Sequence, residues 1–218
     1  MSSFPNSPRL LKGGLVLLDP ASGVVRRVIS LQYNPDTLSR TLQVQGAGGE
    51  GGDRSEALRL KGPPVETIKV EAEIDAADQL EFPERNPAAT QAGIQPLLAA
   101  LETIVYPPSS RLQTNNLLAS LGTLEILPAP APLTVFVWSR NRVVPVRITE
   151  FSVTEEAFDP ALNPIRAKVS LGMRVLSIND VGFDQKAGSL FLSYQQRKES
   201  LAARHQGASI ASLGIGGV

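Results

Sequence analysis

The residues that could do chemistry are few and scattered along the chain. Gly46-Ala47-Gly48-Gly49-Glu50-Gly51 matches the pattern G-x-G-x-x-G, in which the glycines open a helix whose N-terminus holds a pyrophosphate. Here Asp53–Lys61 is too short for that helix and runs into Gly62-Pro63-Pro64 and then a strand. No Lys-Ser or Lys-Thr follows to complete a phosphate loop, so the stretch reads as a flexible loop between strands. Glu71, Glu73 and Asp75 recur at every second position, as paired carboxylates for acid–base work could. They share their face with Lys69, and such alternation is the ordinary look of a half-exposed strand. Glu155, Glu156 and Asp159 could hold a cation weakly but lack EF-hand spacing, and a turn rim accounts for them better. The single histidine, His205, falls near the end of a polar helix, where a cation suits the dipole. With one His and no Cys, zinc clusters and the common nucleophile–base dyads cannot be assembled. The expectation is no catalytic residue, no metal and no cofactor: a protein that is not an enzyme.

The elements that position these residues are mostly strands. Residues 1–9 form a loose Pro/Ser-rich arm. Leu10–Asp19 reads as a first strand, turned by Asp19-Pro20 and Ser22-Gly23. Val24–Tyr33 follows, with Val25, Ile29, Leu31 and Tyr33 on one face and Arg27 an exception on it. Asn34-Pro35-Asp36 is turn chemistry, and Thr37–Gln45 is a third strand with Leu38, Leu42 and Val44 in phase. Beyond the glycine loop comes the cleanest alternation, Ile68, Val70, Ala72 and Ile74 against Lys69, Glu71, Glu73 and Asp75. Over Asn86–Tyr106 the period changes: Ile94, Leu97, Leu98, Leu101, Ile104 and Val105 make a helical stripe. Asn86 stands at the N-cap and Pro87 at the first helical position. Pro96 either kinks this helix or sets Ala88–Gln95 apart, and Pro107-Pro108 ends it.

Residues 109–132 fit a short helix through Leu117, Leu118 and Leu121, a short strand at Leu124–Leu127 and an extended proline lead-in. Leu133–Trp138 is a strand, Asn141-Arg142 a hairpin tip, and Val143–Glu155 the return. The apolar phase of the return switches between Ile148 and Phe151, which places a bulge near Thr149. Phe158–Pro164 is a turn. Arg166–Leu176 alternates again, with Ala167, Val169, Leu171, Met173 and Val175 inward. The expected fold is mainly β with α: a small antiparallel β-barrel or sandwich over residues 10–177 with one flanking helix. Residues 178–218 add a separate polar helix at 189–205 and a flexible tail.

Bulk properties narrow the function classes. The 218 residues carry 21 Lys+Arg against 21 Asp+Glu, a balance that argues against coating nucleic acid or an anionic membrane and suits self-association. Aromatics are 5% and scattered, which gives no stacking platform for single-stranded nucleic acid. No apolar run approaches the roughly 20 residues of a membrane-spanning helix. The N-terminus has neither a basic nor an apolar region of a signal peptide. The expected location is the cytoplasm.

Leu31-Gln32-Tyr33-Asn34-Pro35 resembles the apolar-x-[FY]-N-P opening of the tube-type domain found in contractile injection systems and related phage-tail proteins. Gly62-Pro63-Pro64 leading into Val65–Asp75 is similar to that family's next block. Leu97-Leu98-x-x-Leu101 with Pro107-Pro108 looks like its helix and closing proline. Pro132-Leu133-Thr134-Val135-Phe136-Val137-Trp138 resembles its P-P-x-V-x-F-x-W strand, and Val146–Phe151 its hairpin return. Phe158–Val169 is similar to its D-G-x-P-x-R-A-x-V turn and strand, with Asp159-Pro160-Ala161 in place of D-G-x. The resemblance spans about residues 10–177.

What the resemblance implies is a structural subunit at the baseplate end of an inner tube, assembled in the cytoplasm into a phage-tail-like particle. Six copies would form a homohexameric tube-initiator ring between the spike protein and the inner-tube proteins, their sheets joining around a channel. A ring closes every strand edge. Relatives that continue into a LysM module tether the ring to baseplate wedge or sheath components; with no such module after Leu176, that contact is expected at the helix 189–205. The candidate contact residues are Gly46, Gly48, Gly52 and Arg54 in the glycine loop, Pro63 beyond it, Arg140 and Arg142 at the hairpin tip, Asp159, Pro160 and Asn163 in the turn, and Tyr194, Arg197 and Arg204 on the helix. A repeated inner-tube subunit is the nearest alternative and a monomeric binding module a more distant one, with neither nucleic acid nor a membrane as partner.

Overall fold

The sheet grows outward from one pair of strands. In a computed structural model that describes residues 11–46, 59–122 and 131–214, the alternating segment forms β4 (Val65–Asp75) beside β7 (Pro164–Val175). Ile68 faces Met173, Val70 faces Leu171, Ala72 faces Val169 and Ile74 faces Ala167. All eight side chains are buried, and such cross-strand apolar pairs are the unit of sheet stabilisation. The other strands are β1 (Gly14–Leu18), β2 (Val25–Ser30), β3 (Leu38–Gln43), β5 (Leu133–Ser139) and β6 (Arg142–Phe158). They complete one seven-stranded, wholly antiparallel sheet in the order β2-β1-β5-β6-β7-β4-β3. The bulge expected near Thr149 is present as a register shift between Ile148 and Glu150. It brings Phe151 opposite Leu171 and Val153 opposite Val169, onto the apolar face.

The expected barrel does not close: among the described residues the ladder is open, with β2 and β3 at its two ends. It is nonetheless curled. Only residues 31–37 join these outermost strands, a span of roughly 26–29 Å if fully extended. Six inter-strand gaps laid flat would need about 29 Å, and this connection contains a turn. Its side chains fix the curl. The Gln32 amide pairs with the end of β4, its Nε2 donating to the Asp75 carbonyl at 2.6 Å and its Oε1 accepting the Asp75 N–H at 2.9 Å. Asn34 does the same at the entry to β1, accepting from the Gly13 N–H at 2.9 Å and donating to the Leu11 carbonyl at 2.7 Å.

The helices are α1 (Ala77–Leu80), α2 (Pro87–Ala92), α3 (Gln95–Glu102), α4 (Ser109–Ser120) and α5 (Lys186–Ala202). Of the two alternatives at Pro96, the separate element holds: α2 is set apart from α3, with the break at Gly93. Gly93 has φ 56°, and a Cβ there would lie 2.1 Å from the Pro164 carbonyl. Only glycine tolerates both conditions. Pro96 sits harmlessly in the first turn of α3. Asn86 does not cap α2; its side-chain amide donates to the carbonyls of Gln79 and Phe82. Ile94, Leu98, Leu101 and Ile104 enter the core, while Val105 stays exposed. Helix α4 buries no residue. The expected strand at Leu124–Leu127 and the arm 1–9 lie outside the described residues.

Two positions change face for a physical reason. A register shift between Leu17 and Leu18 sets Val25 opposite Leu18 instead of in line with Ile29, so Val25 is exposed. Helix α5, expected as a separate polar extension, instead buries Phe191 and Tyr194 in the main core and Ala187 in a smaller cluster with Leu18, Leu133 and Val135. No helix among the described residues is long and apolar enough to cross a membrane.

Candidate interaction surface

The sequence places a charge where the apolar phase of β4 begins. Glu66 shares the face of Ile68 and Val70, and it is 3% exposed. Its carboxylate is met from two directions. On β3, directly across from β4, the Arg40 Nε donates to Glu66 Oε1 at 2.8 Å. From α5, the Tyr194 hydroxyl donates to the same oxygen at 3.0 Å and accepts from Arg40 at 3.1 Å. The Lys198 ammonium stands 3.8 Å from Glu66 Oε2 and 4.2 Å from the centre of the Tyr194 ring. Burial and the neighbouring Glu66 charge push the Tyr194 phenol above its ordinary value. Burial holds the Lys198 ammonium below its own. Burial works against the Arg40 charge too, but Glu66 outweighs it and the value rises. The half-buried Arg142 adds a fourth charge, acting on Tyr194 to lower its pKa.

Tyr194 is therefore a core residue, 2% exposed, and not available to a partner as expected; its hydroxyl locks α5 to the sheet. Arg197 and Arg204, on the outer side of α5 and just beyond it, are exposed. The structure brings them to Arg140 at the tip of the β5–β6 hairpin, where the three arginines line one groove with Asn141, Val143 and Leu201. Arg142 lies behind it, towards Tyr194. Arg204 and His205 both follow the C-terminus of α5, where cations are favoured.

The turn residues hold one another. Asp159 accepts from the N–H groups of Ala161 and Asn163 and from the Asn163 side-chain amide, each at 2.8 Å. Those bonds, the Asn163 amide foremost, hold its carboxyl below the usual range. Asn163 also donates to the Gln91 carbonyl at 3.2 Å. Leu162, not Pro160 or Ala161, takes the left-handed conformation, with φ 64°. Pro160 is exposed and Pro63 half-buried before β4. Gly46 is exposed and makes an isolated bridge with Leu60. Gly48, Gly52 and Arg54 lie outside the described residues.

On β4, β7 and the stretch of β6 from Glu150 to Glu156, the face turned away from the main core carries mostly charged and polar side chains. Lys69 pairs with Glu150 at 2.9 Å, Arg166 with Asp75 at 2.7 Å and Lys168 with Glu156 at 3.0 Å, and the Ser170 hydroxyl donates to Glu71 at 3.3 Å. Glu156 and Asp159 are thus spoken for separately and do not converge on a cation. The edges are different. On β2, Val25 and Val28 are 55% and 64% exposed; at β3, Leu42 is 46% exposed and Val44, just past its end, 68%. An apolar hollow of about 410 Å³ opens beside the start of α5, lined by Leu133, Ile148, Val181 and Ala187, with Arg147 and Lys186 as the charged lining residues among those described.

Sequence reasoning missed Gln32 and Glu66. Gln32 stood in the quoted motif, but its partner, the backbone of Asp75, is distant in sequence. Glu66 was visible as a charge in an apolar phase, a sign of a buried pair that only the fold could complete. No protein-family model and no curated protein sequence matches this chain.

Proposed function

We propose that the chain is a structural subunit of a contractile injection system, forming a homohexameric tube-initiator ring of the inner baseplate that joins spike to inner tube. The observation that carries it is the pair of open strand edges, each with large apolar side chains in solvent. An exposed edge is a row of unpaired N–H and C=O groups that templates association. In a head-to-tail ring, β3 of one copy pairs with β2 of the next, and the rotation closes when every edge is used. The ring covers Val25, Val28, Leu42 and Val44, and the charged face of β4, β7 and the far half of β6 is turned to the channel. The resemblance of residues 10–177 to tube-type domains supports the same arrangement.

Helix α5 favours keeping the repeated tube subunit as a second reading. As part of the core it belongs to the domain, so it no longer marks the chain as a specialised end ring. Cryo-electron microscopy of particles that contain this subunit separates the two: one sixfold layer between spike and tube supports the initiator, and repeated layers support the tube subunit. Absence from any particle removes both. In solution, Val28→Lys with Leu42→Lys is expected to leave circular dichroism unchanged and to abolish the ring seen by light scattering. A ring that survives both charges defeats the edge-pairing arrangement.

A further inference from the structure

Segments far apart in sequence converge on the groove between the β5–β6 hairpin and α5. It has a volume of about 430 Å³ and is lined by Arg140, Asn141, Val143, Arg197, Leu201 and Arg204, together with one serine. All three guanidiniums are exposed, and none has an ion-pair partner among the described residues. Among the described residues no carboxylate lines the groove. Behind it, Arg40, Arg142 and Lys198 gather around Tyr194 and Glu66, three cations against one buried carboxylate. The local field is thus positive at the surface and uncompensated beneath it. The end of α5 explains a cation at Arg204, but it explains neither Arg140, on another element, nor Arg197, nearly two turns earlier.

We propose that this groove binds an acidic peptide segment of a partner protein, its carboxylates forked by the arginines and an aliphatic side chain seated on Val143 and Leu201. Arginine presents a planar fork that matches a carboxylate with two parallel N–H donors. The apolar floor selects peptide over nucleic acid: among the described residues no aromatic side chain lines the groove for a base to stack on, and the arginines ring a compact hollow instead of tracking a phosphate backbone. The proposal stands without the ring, since none of the groove's lining residues belongs to β2 or β3.

The test uses the full chain and a short fluorescein-labelled peptide alternating Glu-Glu with Leu, read by fluorescence anisotropy. The expected result is saturable binding that falls with added salt and weakens about tenfold or more in Arg197→Glu/Arg204→Glu. Should that double substitution lower the helix content, Arg140→Ala, on the hairpin and outside α5, carries the same comparison. Several results overturn the proposal: no binding of the peptide, equal affinity in the variants, or equal affinity for the peptide with Gln in place of Glu. Binding of an oligothymidylate as tight as the peptide would make the ligand a nucleic acid. Self-association of the unliganded chain that the double substitution abolishes would make the occupant a second copy.

Discussion

Leu162 holds a left-handed backbone with its side chain 76% exposed. A Cβ in that conformation costs about 1–2 kcal/mol, and here no buried side-chain contact offsets it. Leu162→Gly is expected to stabilise the fold by about 0.5–1 kcal/mol after the entropy of glycine is counted, a gain that urea unfolding would register. A second residue-scale effect is acid sensitivity. The Ser22 N–H and the Arg26 guanidinium hold the Asp19 carboxyl down to about 2, and the Asp159 carboxyl is also lowered. Burial opposes the charge of Asp75, but the Ala77 N–H and Arg166 outweigh it. A folded value below the unfolded one gives stability that is present above about pH 4 and is lost as pH falls through the folded value. Stability should therefore decline from about pH 4 towards about 2, and Asp159→Asn should make that decline shallower in acid titrations followed by circular dichroism.

At the scale of elements, the joint between α5 and the sheet is a single buried carboxylate. Glu66→Ala strands Arg40, the Tyr194 hydroxyl and Lys198 together. The cost is about 2 kcal/mol, less than a fully buried pair would lose because Arg40 and Lys198 keep some solvent. Tyr194→Phe, which leaves the Arg40–Glu66 pair intact, should cost about 1 kcal/mol; equal losses in the two variants under urea would mean that the phenol, not the carboxylate, is the joint. Elements whose signal is local could be read directly from the sequence. The strict alternation of β4 and β7 and the phase switch near Thr149 stand where the residues put them; the hairpin tip expected at Asn141-Arg142 is one residue earlier, with Arg142 already in β6, and the turn expected over Phe158–Pro164 is shorter, with Phe158 ending β6 and Pro164 opening β7. Contacts between distant residues could not be read this way. Tyr194 on a polar helix looks like a surface residue until Glu66, 128 positions away, supplies its partner. The strand order, with β1 beside β5 and β3 beside β4 at the far end, leaves no mark on any single segment.

Over the whole molecule, charge and apolar surface are distributed separately. The polar sheet face pairs its charges internally, the two sheet edges expose valines and leucines, and the arginine groove has no acid of its own. Contacts at the edges should be insensitive to salt and those at the groove sensitive. If edge pairing forms the proposed ring, sedimentation of the chain alone should give the same size at low and high salt, while peptide binding at the groove weakens with salt. A ring that dissolves in salt would assign self-association to charge and not to strand pairing.

The position of β1 between β2 and β5 also governs how the chain comes to be made. Gly14 pairs with Val137, so the first hairpin leaves the ribosome more than a hundred residues before the strand that will cover its inner edge. At ordinary elongation rates this is a wait of roughly 5–20 s. During that interval Leu15 and Leu17, both destined for the core, have only each other's hairpin for shelter. A nascent chain of this kind is a natural client for a holding chaperone, and its yield in cells should depend on translation speed between codons 31 and 133 more than on the stability of the finished fold.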